Sequence, residues 1–177
     1  MKLNTTMTNT PVSPIAELDE PFVVIKRTFH APRELVFKAW TDPEQLARWY
    51  APDGCTIEFR ELDIREGGTF HSCIKTPGGF QCWCIGVYSE IRVPERIVYS
   101  MALADEHGNR VTSAGSGHDT DWPAETIVTV TFTEQGDQTL LTLKQNVRES
   151  LAKRTGAYPS WIQMLDHLNT ELVATIP

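Results

Sequence analysis

The side chains with the most chemical potential are four cysteines, Cys55, Cys73, Cys82 and Cys84, and their spacing limits what they could do. They are too few and too unevenly placed for a disulfide framework. Cys82 and Cys84 could join zinc with His71 and Cys73 from a neighbouring strand. Structural zinc sites, however, usually place closely spaced cysteine pairs on turns, whereas Cys82-Trp83-Cys84 lies inside a strand-like run. The cysteines read instead as small buried apolar residues. His118, Asp119 and Asp121 could approach a cation, but a hard cation wants roughly six oxygen ligands, so they read as a solvated polar cover. His71 has the intrinsic pKa of a base or switch, yet it alternates with Phe70 and should point away from any interior space. His30 offers no better base. Asp63, Arg65 and Glu66 read as a charged network beside the Gly67-Gly68 turn. No nucleophile elbow, phosphate-binding loop, H-E-x-x-H or dinucleotide fingerprint is present, and Gly115-Ser116-Gly117 reads as a flexible loop. No catalytic residue, metal or cofactor is assigned.

Composition narrows the class of partner. The 177 residues suit one domain with or without a tail, and 41% apolar and 22% charged residues are ordinary for a globular protein. Sixteen Lys plus Arg against 23 Asp plus Glu leave a net charge of −7. That balance argues against nucleic acid or an anionic membrane surface, which require a clustered positive field. No apolar run reaches the ~18 residues of a membrane span, and the first twenty residues lack the apolar core of a secretory signal, so no membrane insertion and a cytoplasmic location are expected.

The elements that must position any site follow from periodicity and turn chemistry. Residues 1–21, rich in Thr, Asn, Pro and acid, read as a flexible tail, and residues 22–177 as a single domain. Phe22 to His30 is β-branched and aromatic and reads as a strand. Pro32 suits a first helical residue, with Leu35, Val36, Ala39 and Trp40 on one face. Asp42 is placed to cap a second short helix, with Pro43 as its first residue and Gln45 as capping-box partner. Strand-like runs follow at Cys55–Ile64, Thr69–Lys75, Phe80–Ile91, Arg96–Ala104, Ala124–Thr133 and Thr139–Gln145, punctuated by turn residues that include Glu66-Gly67-Gly68, Pro77-Gly78-Gly79 and Glu134-Gln135-Gly136-Asp137. Between Asp105 and Pro123 lies a polar insertion without periodicity, of a length found in functional covers or disordered loops. Tyr158, Trp161, Leu165, Leu168 and Leu172 recur at helical spacing, which predicts a final amphipathic helix of about four turns with Pro159 in its first turn.

This order predicts an α+β fold: a curved antiparallel sheet of about seven strands wrapped around a long C-terminal helix, with two short helices after the first strand. A twisted sheet of that width cannot close tightly on one helix, so a cavity should remain between them. Strand parity chooses its wall, anchored on Gly86 facing the final helix because a missing side chain allows close approach. Cys82, Cys84 and Tyr88 then share the inner face. Phe70 and Ser72 join them from the preceding strand, Tyr99 and Met101 from the next, and Leu143 with Gln145 from the last hairpin. Trp161 and Leu165 would close the cavity from the helix. Gln145 stands out, because an amide on an apolar face must find a partner. Trp83, Ile85 and Val87 would form an outward stripe suited to a homodimer.

Five segments in order carry a family resemblance: APRELVFKAWTDPEQLARWYAP, ELDIREGGTF, GVYSEIRVPERIVYS, AETIVTVTF, and the final helix with Trp161 and Leu165-Asp166-His167-Leu168. Together they resemble the SRPBCC superfamily of helix-grip proteins, which includes START domains and the birch-pollen allergen. The closest branch is similar to the C-terminal domain of the activator of heat-shock protein 90 ATPase. Branch members often read R-W-W-G-P where this chain has Arg48-Trp49-Tyr50-Ala51-Pro52, and the Tyr50 hydroxyl could donate into the cavity mouth. The architecture with its cavity predicts binding of a small apolar or amphipathic molecule held with polar contacts from Gln145, Tyr50 or Tyr99. The resemblance leaves open a cyclase- or hydrolase-like enzyme on the same scaffold, or a co-chaperone-type interaction module with a chaperone partner.

Overall fold

The computed structural model describes residues 20–176. Most of the expected N-terminal tail therefore lies outside the described residues. Glu20 and Pro21 do belong to the folded unit: the Pro21 carbonyl accepts from Glu149 N–H at 3.0 Å and the Glu20 carboxylate from Ser150 N–H at 2.9 Å.

Seven strands form one antiparallel sheet. They are β1 (Phe22–Phe29), β2 (Thr56–Leu62), β3 (Thr69–Lys75), β4 (Gln81–Arg92), β5 (Arg96–Ala104), β6 (Glu125–Gln135) and β7 (Gln138–Arg148), in spatial order β1-β7-β6-β5-β4-β3-β2. Each strand from β2 to β7 thus pairs with its sequence neighbour, and β1 closes the far edge against β7. Alternation fixes the register, because a one-residue slip would turn an entire apolar face to solvent. In β7, Thr139, Leu141, Leu143, Gln145 and Val147 are buried in turn. A register shift between Tyr88 and Glu90 kinks β4 against β5.

Helices α1 (Arg33–Thr41) and α2 (Pro43–Trp49) follow β1. The Asp42 side chain accepts from Glu44 N–H at 2.9 Å and Gln45 N–H at 3.2 Å, so the expected N-cap forms. Two details differ from expectation. Pro32 caps α1 instead of entering it, and the buried face of α1 is Val36, Phe37, Ala39 and Trp40, with Leu35 turned outward. The shift of face lets Phe37 and Trp40 pack edge-on against Phe132.

The C-terminal region is two helices rather than one, α3 (Glu149–Thr155) and α4 (Ala157–Thr175). They meet at Gly156, whose φ of +85° is a left-handed conformation that glycine adopts at little cost. Trp161, Met164, Leu165, Leu168 and Leu172 form the buried stripe of α4, so the predicted helical spacing holds over a longer, 19-residue helix. Loop residues after α2 are fastened to its outer side: His167 Nδ1 meets Ala51 O at 2.9 Å, and Gln163 Oε1 accepts from Asp53 N–H at 3.0 Å.

Gly86 has a different role from the one parity suggested. A Cβ there would lie 2.0 Å from Ser100 O and 2.4 Å from the Phe70 ring. The missing side chain accommodates an aromatic ring of the adjacent strand, not the helix. The outward stripe is also different. Trp83 is buried under the Arg60 guanidinium, 4.3 Å from its ring, and against His71 at 4.9 Å, forming a small outer cluster with Cys73 and Ala104. No helix among the described residues is long and apolar enough to cross a membrane.

Candidate functional site

The space between sheet and helices divides into a closed half and an open half. In the closed half Tyr50, Phe70, Tyr88 and Tyr99, with Trp40, Leu46, Phe59 and Ile97, surround a void of only about 10 Å³. Phe70 lies 5.8 Å from Tyr88 and 6.0 Å from Tyr99, ring centre to ring centre, in the tilted and edge-on arrangements that aromatic quadrupoles favour. The Tyr50 and Tyr99 hydroxyls share a buried hydrogen bond of 2.8 Å. The Tyr50 hydroxyl therefore points into the core and not at a cavity mouth. Burial pushes the phenol pKa values of Tyr50, Tyr88 and Tyr99 above their ordinary range, so all three stay neutral.

The open half is a cavity of about 750 Å³. Its sheet wall is Ile74 from β3, Cys82 and Cys84 from β4, Met101 and Leu103 from β5, Thr126 from β6 and Gln145 from β7. Its helix wall is Ala157, Ser160 and Met164 from α4, and Cys55 and Phe80 border it at the strand ends. The polar insertion supplies the cover. A tight turn closes on Asp105, whose carboxylate accepts from His107 and Asn109 N–H groups at 2.9 Å each, and a turn of 3₁₀ helix follows at Ala114–Ser116. Gly117, His118, Asp119 and Trp122 then reach over the cavity. Arg154 of α3 holds this cover through Asp119 at 3.1 and 3.2 Å and Asp121 at 2.8 Å. The two carboxylates that might have suited a cation are thus engaged by a guanidinium in a forked pair.

Gln145 makes the polar contact that its position demanded. Its side-chain amide donates to Thr126 Oγ1 at 3.1 Å and its carbonyl accepts from Trp161 Nε1 at 2.9 Å. The bonds join β6, β7 and α4 across the inner end of the cavity. One amide hydrogen and one acceptor position of Gln145 remain beyond these two bonds.

At the opposite end Cys82 Sγ lies 3.3 Å from His118 Nε2. The other ring nitrogen, Nδ1, is 2.9 Å from Ser116 Oγ, which itself donates to backbone oxygens of Thr112 and Ser113. Because the serine hydrogen is directed to carbonyls, its oxygen is left to accept from Nδ1–H, and that leaves Nε2 to exchange a proton with sulfur. A hydrogen bond from Cys84 and then the interaction with His118 outweigh burial and push the Cys82 thiol down to about 5. Cys84, as the donor beside a thiolate, is pushed up, and His118 is raised chiefly by its bond to Cys82. Both shifts run in the direction that favours a thiolate beside a protonated imidazole.

Of the residues named from sequence, the structure brings Cys82, Cys84, Met101 and Gln145 together on the open cavity, with Trp161 bonded behind Gln145. Tyr50, Phe70, Tyr88 and Tyr99 line the closed half instead. Ser72 is buried on β3 opposite Cys84, and Leu143 and Leu165 are wholly buried in the core. His71 faces outward, with Nε2 at 3.0 Å from Asp105 O, so it and Cys73 lie on the other side of the sheet from Cys82. Among the described residues no group of three His, Cys, Asp or Glu side chains is arranged to hold a metal ion. Sequence reasoning missed His118 and Trp122 as cavity residues. The 36-residue separation of Cys82 and His118 is bridged only once the cover folds back.

The model of the family described as Activator of Hsp90 ATPase homolog 1-like protein matches residues 30–173. No curated protein matches. Solved structures do: a protein from Chromobacterium violaceum is 24% identical, over 85% of this chain and 95% of that one, with a TM-score of 0.69. One from Arthrobacter aurescens is 22% identical, over 85% of each chain, at 0.72. The AHSA1 protein from Silicibacter pomeroyi is 18% identical, over 88% of this chain and 100% of that one, at 0.71. These likenesses establish the helix-grip fold, and with the family match the chain belongs to the Activator of Hsp90 ATPase homolog 1-like family, within the SRPBCC type.

Proposed function

We propose that this protein binds one small amphipathic molecule in the open half of the space between sheet and α4. The observation that carries the reading is the cavity of about 750 Å³, apolar along Ile74, Phe80, Met101, Leu103, Trp122 and Met164 and ended by the Gln145–Thr126 pair. Pockets of some 300–1,000 Å³ with mostly apolar walls and few polar groups are the ordinary form of a small-molecule site. A ligand would lay its apolar body along β4 and β5 and meet the remaining donor and acceptor of Gln145 with a hydroxyl or carbonyl. An interaction module acting only through its outer surface would have no use for unfilled interior volume, and the closed half already supplies a packed core. The binding reading is therefore preferred to a chaperone-partner reading for this site.

The test is titration with the fluorescent probe 8-anilinonaphthalene-1-sulfonate, comparing the native chain with Met101→Trp. The larger side chain projects into the cavity from β5. One probe per chain, lost in Met101→Trp without loss of the cooperative thermal transition, supports the reading. Equal affinity in both proteins refutes it.

A further inference from the structure

We propose that Cys82 is a nucleophile that captures α,β-unsaturated carbonyl compounds entering the cavity, with His118 as its proton carrier. The inference rests on the cavity being a ligand site and names the chemistry of that ligand. Four observations support it. The sulfur lines the open cavity instead of being buried in the outer cluster as Cys73 is. Its partner is a ring nitrogen at 3.3 Å. Ser116 fixes the ring from behind through Nδ1, at 2.9 Å. Phe80, whose ring centre is 5.5 Å from that of His118, packs edge-on beside the imidazole. A nucleophile, a base in contact with it and a third group orienting the base is the arrangement that activated thiols require.

The choice of electrophile follows from what surrounds the sulfur. Cys82 lies within the sheet, opposite Ile74 of β3, and Cys84 is paired with both Ser72 and Leu103. Both cysteines sit at paired positions of the ladder, so the strand around the sulfur does not present the cluster of free N–H groups that acyl transfer needs. Conjugate addition develops its charge on a carbonyl oxygen remote from the attacked carbon, and proton transfer to the α-carbon quenches it. The thiolate sulfur bonds to the β-carbon as the carbon–carbon π bond breaks, and the electron pair moves to the enolate. The imidazolium Nε2–H, which carries the proton lost by the thiol, returns it to the α-carbon. The products are a thioether and a neutral imidazole, with no oxidant or reductant consumed.

The titratable and charged groups facing the sulfur are Cys84 on its own strand, His118 and Asp119 of the cover, Arg154 of α3 and Cys55 across the cavity. Arg154 and Asp119 neutralise each other, which leaves Cys84 and His118 to set the thiolate. Cys55 borders the same cavity and serves as the internal reference.

The experiment treats the full-length protein at pH 6 with oct-3-en-2-one and follows adducts by intact mass and peptide mapping. Allowing for the lower intrinsic nucleophilicity of an acidic thiol, Cys82 should react about tenfold faster than an ordinary thiol at that pH. His118→Gln, which keeps a polar side chain over the cavity but cannot carry the proton, should remove that advantage while leaving the Cys55 rate unchanged. Equal rates at Cys55 and Cys82, or a Cys82 rate indifferent to His118→Gln, would overturn the proposal. Octan-2-one, the saturated counterpart, separates the two readings. If it displaces the anilinonaphthalene probe while the enone adds no mass, capture is wrong and binding stands. If it displaces nothing while Cys82 is still labelled rapidly and in a His118-dependent way, capture stands and reversible binding falls.

Discussion

Gln145→Leu separates a structural from a purely ligand-directed role for the buried amide. Sequence alone suggests that replacing an amide on an apolar face would leave stability similar or higher, because a buried polar group is removed. The structure reverses that sign. Gln145 is 3% exposed, and its carbonyl is the acceptor for Trp161 Nε1. Leucine is close in size, but it leaves the indole N–H and the Thr126 hydroxyl without that partner. A buried donor left unpaired costs about 1–3 kcal/mol, and the better transfer of leucine offsets part of it. A net loss of about 1–2 kcal/mol is expected, which for a chain of this size lowers Tm by roughly 2–8 °C. Urea denaturation followed by far-UV circular dichroism measures it without relying on tryptophan emission. The cycle with Trp161→Phe isolates the bond: once the indole N–H is gone, Gln145→Leu should cost about 1 kcal/mol less than in the native background. A variant as stable as the native protein, or a cycle with no coupling, would refute this account of Gln145 as the tie between sheet and helix.

Three further outcomes are expected. Gly86→Ala should destabilise by about 3 kcal/mol or more in the same urea assay, since its methyl would meet Ser100 O and the Phe70 ring well inside contact distance. A loss under about 1 kcal/mol would show that the aromatic cluster is not held as described. Trp83→Ser should lower stability without changing the sedimentation mass, because Arg60 and His71 of the same chain already cover the ring; a fall in mass would make the outer stripe an interface between copies. Iodoacetamide alkylation of Cys82 should rise as pH increases through about 5 and then stay level through neutrality, because the thiol is already ionised there. Cys73, whose thiol burial pushes upward, should not react until pH is above its usual value of 9. A Cys82 profile that climbs only near 9 would remove the thiolate–imidazolium pair.

Much of the fold could be read because it is written in local patterns. Asp42-Pro43 fixes where α2 begins, glycine turns mark the β2–β3, β3–β4 and β6–β7 hairpins, and alternation in β7 fixes which residues face inward. The family segments extend that reading across the whole domain. What escaped was decided by packing. Gly86 allows a close approach either to a helix or to a ring, and only the position of Phe70 selects the ring. Trp83 is apolar and outward by parity, yet a long basic side chain from β2 folds over it. The break at Gly156 interrupts an otherwise helical pattern without disturbing the spacing of the buried residues. The cover between β5 and β6 has no periodicity to read, so its contribution of His118 and Trp122 to the cavity depends on the Arg154 pair far along the chain.

The division of the interior into two halves links stability to function. Trp40, Tyr50, Phe70, Tyr88 and Tyr99 fill one half so completely that a void of only about 10 Å³ is left. The neutral Tyr50 and Tyr99 hydroxyls give each other a hydrogen-bond partner there. Because that half, with the α4 stripe of Leu165, Leu168 and Leu172, secures the sheet against the helix, the other half need not be packed to hold the fold. Its wall carries small groups at positions where apolar bulk would have filled more of the space: Cys82, Cys84, Ala157 and Ser160. Each choice forfeits some burial energy, and all of them face the same space. A core under selection for stability alone would close that space. Keeping it open, with the Cys82–His118 pair at one end and the Gln145 amide at the other, is what the proposed binding reading requires.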